Sequence, residues 1–145
     1  MKIMISACLL GENCKYDGGN NYYPDIEKLV KNHEVISVCP EVLGGLPVPR
    51  IPCEIVDGVV LNAKGTSWDR EFREGAEKAL EIARKENVDM LILQSRSPSC
   101  GVKQIYDGTF SGKLIPGKGV FAELMIENGF KVIDVKNLEN EDVLR

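Results

Sequence analysis

Short apolar runs that alternate with helix-like segments constrain the fold of this chain more than any other feature. Three of these runs carry almost no charge in their interiors, at 2–8, 34–39 and 88–94, and a fourth at 130–135 alternates more regularly. Uncharged β-branched runs are typical of strands buried on both faces of a parallel sheet. Helical patterns occupy the stretches between them, at 25–32, 67–87 and 120–128. The sequence therefore predicts an α/β fold, a single three-layer Rossmann-like domain with a mainly parallel sheet of about four strands and right-handed crossovers.

The longest helical pattern, residues 67–87, has the clearest periodicity. Its apolar residues recur every three or four positions, at Trp68, Phe72, Ala76, Leu80 and Ala83, and predict one buried face. Thr66 and Asp69 have the spacing of a capping box at its start. Before this helix, residues 54–61 predict a small hairpin excursion beside the main sheet, with its turn at Asp57-Gly58.

Length and charge narrow the class of protein. The 145 residues suit one domain, 1–145, with a core of its own. A net charge of −4 disfavours binding to nucleic acid, so we expect a small-molecule partner. The sequence does not indicate an oligomeric state. The apolar run before Cys8 is too short for a signal-peptide core, and no run approaches the length of a membrane span. We therefore expect a cytoplasmic protein with no membrane association.

Five cysteines in such a compartment indicate thiols, metal ligation or catalysis rather than disulfides. Cys8 and Cys39 end the first two predicted strands, Cys100 lies in the loop after the third, and Cys14 lies in the first loop. Ligands of parallel α/β sheets bind at the carboxyl ends of the strands, so these cysteines are expected to share a site. Cys53 is expected to serve packing.

The cysteine spacings match neither a zinc ribbon nor a bacterial ferredoxin, so spacing alone leaves the metal open. Two phosphate-binding interpretations fail. Residues 112–118 fit GxxxxGK, but Gly119 follows where a P-loop has Ser or Thr. A cysteine phosphatase would have an Arg six residues after its nucleophile, and none of Cys8, Cys39 and Cys100 does.

Three long irregular segments, 9–24, 40–53 and 95–118, are of the kind that carries function in compact domains. Two of them contain the tripeptide Tyr-Asp-Gly, at 16–18 and 106–108. We interpret each Asp-Gly as a turn, because one shared tripeptide does not establish a repeat.

Several blocks, in this order along the chain, resemble the bacterial thiouracil desulfidase family, long catalogued as a domain of unknown function. The blocks are SACLLG at 6–11, CKYDG at 14–18, VCPEVLGGLP at 38–47, PR at 49–50, SPSCG at 97–101 and IYDGTFSG at 105–112. Two departures are visible, since Lys15 stands where the family usually has Arg and Cys53 where it usually has Ala.

The resemblance implies an enzyme that uses a [4Fe-4S] cluster bound by three cysteines to remove sulfur from 2-thiouracil or a related thiopyrimidine. The expected reaction is hydrolytic and non-redox and gives uracil and sulfide. The expected ligands are Cys8, Cys39 and Cys100, with Cys14 as the alternative third ligand.

Further site residues follow from the same resemblance. Glu41 is the candidate general base, and Ser97 is the candidate for orienting the pyrimidine or relaying a proton. Arg50, Ser99 and Gly101 are the candidate substrate contacts, and Gly44-Gly45 are expected to let backbone approach the cluster. The alternative hypotheses are a metal-binding sulfur carrier or a redox or metal sensor without catalysis. Desulfuration of thiouridine in RNA is disfavoured by the acidic chain.

Overall fold

The four predicted strands of the main sheet are confirmed in a computed structural model of the protein, which describes residues 1–140. Residues 141–145 of the predicted domain lie outside the described residues. The strands are β1 (Lys2–Ser6), β2 (Glu34–Val38), β3 (Cys53–Val56), β4 (Val59–Asn62), β5 (Met90–Leu93), β6 (Gln104–Tyr106), β7 (Leu114–Pro116) and β8 (Lys131–Asp134). The α-helices are α1 (Pro24–Leu29), α2 (Pro40–Leu43), α3 (Asp69–Lys85) and α4 (Val120–Glu127), and 3-10 helices span Ala7–Leu10 and Val135–Asn140.

The main sheet has the strand order β2-β1-β5-β8, and all neighbours are parallel. The central strand β1 pairs on both sides, so Ile3 lies opposite Val35 of β2 and Met90 of β5. The order of connection reverses between β1 and β5. In open α/β sheets such a reversal opens a crevice at the carboxyl ends of the strands, which is where ligands bind.

Helices cover both faces of this sheet, which confirms the three-layer prediction. On one face Ile3, Ile5 and Ile92 pack with Ile26 of α1. On the other face the buried core includes Met4, Leu91, Leu93, Phe72 of α3 and Phe121 of α4. Because side chains alternate along a strand, β1 contributes to both layers.

The apolar face of α3 is buried as predicted at Phe72, Ala76, Leu80 and Ala83. The predicted capping box is wrong. Trp68 occupies the N-cap position with no side-chain cap, and the Asp69 carboxylate accepts the Val60 N–H at 3.0 Å and Arg73 Nε at 2.8 Å. Asp69 therefore fastens β4 to α3 instead of capping the helix.

Two antiparallel hairpins lie beside the main sheet. The predicted β3–β4 hairpin is confirmed, with Asp57 and Gly58 both at positive φ (49° and 81°), as a type I′ turn requires. The β6–β7 hairpin was not predicted and lies within the segment expected to be irregular. Its strands have three residues each, which is too short for a readable alternation.

The short helix α2 was also not predicted, and its position depends on two glycines. A Cβ on Gly44 would lie 1.9 Å from the Glu71 carbonyl oxygen, and a Cβ on Gly75 would lie 1.9 Å from the Pro40 carbonyl oxygen. The backbones of α2 and α3 are therefore in direct contact. This helix–helix contact accounts for Gly44, and the expectation that Gly44-Gly45 let backbone approach a cluster stays a prediction.

Candidate functional site

A cavity of about 450 Å³ opens at the carboxyl ends of β1, β2 and β5, where the strand order predicts a ligand site. All five cysteines of the chain line it as free thiols: Cys8, Cys14, Cys39, Cys53 and Cys100. The predicted convergence of the strand-end cysteines is therefore observed. It arises because β1, β2 and β5 are parallel neighbours whose following residues meet at one edge.

The thiols of Cys8, Cys14 and Cys39 are in contact, with Cys14 between the other two. The Cys14 thiol donates toward both neighbours, which lowers the pKa of Cys8 to about 7 against the effect of burial, with help from the Asn21 amide at 3.5 Å. The same thiol, aided by the Val42 N–H, lowers the pKa of Cys39. The pKa of Cys14 is raised in return, because its proton is shared with two sulfurs.

Cys100 approaches the cavity from the loop after β5 and is only 5% exposed. Burial raises the pKa of its thiol, an effect that the Ser6 and Ser99 hydroxyls partly oppose. Ser6 Oγ itself accepts the Gln94 N–H at 3.0 Å, so this hydroxyl is fixed to β5. Cys53, expected to serve packing, lines the cavity from β3, and burial raises the pKa of its thiol to about 11.

The Glu41 carboxylate is held at both oxygens. Its Oε2 accepts the Ser99 hydroxyl at 2.7 Å, and its Oε1 accepts Arg50 Nη2 at 3.1 Å. Ser99 Oγ also lies 2.9 Å from Ser97 Oγ. Because Ser99 donates its one hydroxyl proton to Glu41, Ser97 must be the donor to Ser99.

Ser97 is fully engaged in this network. Besides donating to Ser99, its Oγ accepts the backbone N–H groups of Ser99 and Cys100, each at 3.1 Å. A hydroxyl has one donor and two acceptor sites, and all three are used. Glu41, in contrast, lines the cavity and keeps a free lone pair on Oε2, because its Oε1 accepts both Arg50 Nε (3.3 Å) and Nη2 (3.1 Å).

Arg50 joins three segments around the site. In addition to Glu41, its guanidinium donates to the carbonyl oxygens of Cys14 (3.0 Å) and Pro47 (3.1 Å), and its backbone N–H donates to Tyr16 (2.7 Å). The side chain is 7% exposed. Its predicted contact with substrate stays a prediction, and the contacts present are those of a residue that positions the Cys14 loop.

The loop 97–101 is fixed against the start of α4. The N–H groups of Val120, Phe121 and Ala122 donate to the carbonyls of Pro98 and Ser99 at 2.8–3.0 Å. The first amides of α4 are therefore occupied, in agreement with the rejection of a phosphate loop at 112–118. Gly101 is buried, and a Cβ there would lie 2.8 Å from the Ser97 carbonyl oxygen. Backbone packing thus accounts for Gly101. The predicted contacts of Gly101 and of the buried Ser99 with substrate stay predictions.

The remaining wall comes from loops and hairpins. Both Asp-Gly segments form turns, and the tyrosine before each of them, Tyr16 and Tyr106, lines the cavity. Glu54 of β3 lines it as well, and its carboxylate accepts the N–H groups of Gly108 and Phe110 at 3.0 and 3.1 Å. This carboxylate therefore ties the two hairpins together.

Sequence reasoning missed several of these residues. Asn21 and Glu54 contact the site from positions outside the blocks quoted above, and Ser6, which opens the block at 6–11, was given no role there. Ser6 lies two residues before Cys8, and this proximity to a candidate ligand was the available signal. The other two are brought in by the paths of loops and hairpins.

A single metal ion has different requirements from a cluster. Within residues 1–140, no group of three or more His, Cys, Asp or Glu side chains is arranged to hold one ion. The ligands of a cubane cluster bind different irons and are spread around it. The donor set fits such a cluster, because soft thiolates are its usual ligands and five cysteines line one cavity.

These features define a class of protein: a three-layer parallel α/β domain with a thiol-lined cavity at its switch point and a partly buried carboxylate–serine network beside the thiols. The chain matches the model of the 2-thiouracil desulfurase family over residues 3–137. It therefore belongs to that family, as the resemblance implied.

Two individual proteins show the same relationship. The protein YbbK of Bacillus subtilis (strain 168), described as uncharacterised, is 39% identical over 148 residues, covering 95% of this chain and 98% of YbbK. The solved structure of the [4Fe-4S]-dependent thiouracil desulfidase TudS superposes with a TM-score of 0.90 at 35% identity, covering 96% of this chain and 93% of TudS. The predicted fold class is confirmed by this match. In the part of the chain that the structure describes, no helix has the length and apolar character needed to cross a membrane.

Proposed function

We propose that this protein is a [4Fe-4S]-dependent desulfidase that hydrolyses 2-thiouracil or a related thiopyrimidine to uracil and sulfide without net redox change. The observation that carries the proposal is that a partly buried, doubly anchored carboxylate, Glu41, lies in the same cavity as the strand-end cysteines. Family membership and the likeness to TudS support the reaction class. We expect the enzyme to act in the cytoplasm, where thiols stay reduced.

Cys8, Cys39 and Cys100 are the proposed ligands. Each of these sulfurs has a polar donor other than cysteine beside it: the Asn21 amide, the Val42 N–H and the Ser6 hydroxyl, respectively. Donors of this kind stabilise a thiolate and orient it toward a metal. The side chain of Cys14, in contrast, interacts with only Cys8 and Cys39 among the described residues. This difference supports Cys14 as the cysteine that does not bind iron.

When bound by three cysteines, such a cluster supplies one open, Lewis-acidic iron that withdraws electrons through the thiocarbonyl sulfur. The overall reaction exchanges the C2–S bond for a C2–O bond, with water supplying the oxygen and two protons leaving with the sulfide. Glu41 takes a proton from the attacking water on a free lone pair and returns it to the departing sulfur. Ser99 and Arg50 hold the carboxylate in place, and Ser97 acts by orienting Ser99.

Anaerobic reconstitution followed by turnover tests this proposal. The loaded protein should release sulfide from 2-thiouracil with no added reductant, and the uracil formed in ¹⁸O-labelled water should carry one ¹⁸O at C2. A reaction that needs a reductant, or uracil without label, would contradict hydrolysis. A fully loaded protein that acts on no thiopyrimidine would contradict the desulfidase assignment and favour the sulfur-carrier or sensor hypothesis.

A further inference from the structure

Three cationic residues line the cavity, and they differ in what their charges contact. Lys15 Nζ lies 3.7 Å from the Asp17 carboxylate and 5.5 Å from the centre of the Tyr16 ring. The Arg50 guanidinium is bound to Glu41 and to two carbonyls, as described above. Among residues 1–138, the side chain of Arg96 has neither an ion-pair partner nor a hydrogen-bond partner. Arg96 is therefore the cation of this cavity whose donors remain available to a ligand.

The backbone at Arg96 is held in an uncommon conformation. Its φ is 64°, in the left-handed region that residues other than glycine rarely adopt. Both neighbours are fixed, since the Ser95 hydroxyl donates to Asp134 at 2.5 Å and Ser97 has all its hydrogen-bonding sites filled. A bridge also joins Arg96 to Ile105. The fold thus keeps a partly buried arginine in an unfavourable conformation at the wall of the cavity, and strain of this kind is concentrated at functional sites.

The chemistry of the side chain indicates what it can recognise. A guanidinium has five N–H donors and no acceptor. A thiolated pyrimidine that presents its C2 sulfur to the cluster carries its distinguishing group at C4. That group is an acceptor oxygen in thiouracil and a donor amino group in thiocytosine. Nucleic-acid-binding proteins use arginine in the same sense, to read the O6 oxygen of guanine.

We propose that Arg96 sets the base specificity of the site by donating to the C4 oxygen of a thiolated uracil, so that 4-amino pyrimidines are excluded. This inference rests on the proposed function, whose substrate class it narrows. Arg96 would act as a substrate-binding residue, whereas Arg50 positions protein groups.

The test compares 2-thiouracil with 2-thiocytosine in loaded wild-type enzyme and in Arg96→Gln. The wild type should prefer 2-thiouracil in kcat/KM by about tenfold or more, the discrimination expected of a good arginine–carbonyl contact. In Arg96→Gln the preference should fall toward unity, because an amide can both donate and accept, and most of the loss should be in KM. Arg70→Gln, an exposed change on α3, is the matched control and should keep the wild-type preference.

A folding defect is excluded by a second variant. Asn tolerates the left-handed conformation better than Arg, so Arg96→Asn should melt at or above the wild-type temperature while losing the same preference. Equal use of both bases by the wild type, or an unchanged preference in both variants, would overturn the proposal.

Equilibrium binding separates this inference from the proposed function. Anaerobic calorimetry should show that uracil binds wild-type protein more tightly than cytosine and that Arg96→Gln removes the difference. If no thiopyrimidine is desulfurised, the proposed function fails, and binding alone then decides the Arg96 assignment. Equal affinities in the wild type would overturn it.

Discussion

Two walls of the cavity differ in how their side chains are held. The strand-end wall consists of Cys8, Cys39, Glu41, Ser99 and Cys100. It follows the strands of the central sheet and is cross-linked by partly buried hydrogen bonds. The hairpin wall, consisting of Cys53, Glu54 and Tyr106, comes from β3 and β6, and the Glu54 carboxylate binds backbone of the neighbouring hairpin. Residues of the same types thus stand on both walls. We therefore expect the role of a residue to depend more on its position relative to the central sheet than on its type. Residues of the strand-end wall should take part in the reaction, whereas those of the hairpin wall should only enclose the cavity.

Each wall contains cysteine, and replacing a cysteine of the strand-end wall should have the largest effect on iron content and activity. Cys39→Ser should lose nearly all bound iron and all measurable desulfidase activity, because one of three proposed ligands is removed. Cys53→Ser should keep the wild-type iron content and activity within a few-fold. Iron and sulfide analysis after anaerobic reconstitution, with turnover of 2-thiouracil, measures both.

Cys14→Ser is the informative third variant of that series. Cys14→Ser should retain most of the iron. The Cys14 thiol contacts the thiols of two proposed ligands, Cys8 and Cys39, and no polar group in the described part of the chain donates a hydrogen bond to its sulfur. Iron loss in Cys14→Ser as complete as in Cys39→Ser, with normal loading of Cys100→Ser, would instead place Cys14 in the ligand set.

The walls also each supply a carboxylate. Glu41→Gln should lower kcat by about 10²–10⁴-fold at unchanged iron content, the usual contribution of a positioned proton carrier. Ser99→Ala should lower kcat less, because it removes one of the two anchors of that carboxylate. Glu54→Gln keeps an acceptor oxygen for Gly108 and Phe110 and should be nearly neutral. Comparable losses in Glu41→Gln and Glu54→Gln, measured by steady-state kinetics, would remove the distinction between the walls.

The strand-end wall is supported by the packing of α2 against α3. Gly75→Ala places a Cβ 1.9 Å from the Pro40 carbonyl oxygen and must separate α2 from α3. We expect a loss of about 1–3 kcal/mol in unfolding free energy, as for other overpacked sites. Iron loading should fall as well, since α2 carries Glu41 and follows Cys39.

Glu77→Ala, in the same helix, is the control for Gly75→Ala and should unfold within about 0.5 kcal/mol of the wild type in urea. A stabilised Gly75→Ala protein would mean that the gain in helix propensity outweighs the contact between the helices.

The strand-end wall was largely predictable from sequence, and the hairpin wall was not. Apolar runs indicated, to within two residues, where β1, β2 and β5 end, so the meeting of Cys8 and Cys39 followed from the parallel arrangement. Cys100 lies seven residues after β5, and its loop is also held by α4. The contact of Ser99 with Glu41 joins positions 58 apart and depends on α2, a four-residue helix too short to show a period.

The hairpin wall depends on still weaker signals. β6 and β7 have three residues each, and Pro116 within β7 argues against a strand. The contact between Gly44 and Gly75 is likewise invisible before the helices are docked. Each of these features is set by packing between distant segments, which no local pattern encodes.

The smallest expected effect is that of changing Asp69, which attaches the β3–β4 hairpin to α3. Partial burial opposes ionisation, but the hydrogen bonds from Arg73 and from the Val60 N–H outweigh it and lower the pKa of this carboxyl below 3.8. A carboxyl whose pKa is lower in the folded state contributes stability above its unfolded pKa and loses it as pH falls through the folded value. Asp69→Asn should therefore cost about 1 kcal/mol or less at pH 7, and the cost should shrink as the pH falls toward the folded pKa, because the wild-type carboxyl becomes protonated. Urea unfolding of both proteins between pH 7 and pH 3 measures this, and a difference that stays constant across the range would show that the charge of Asp69 does not fasten β4 to α3.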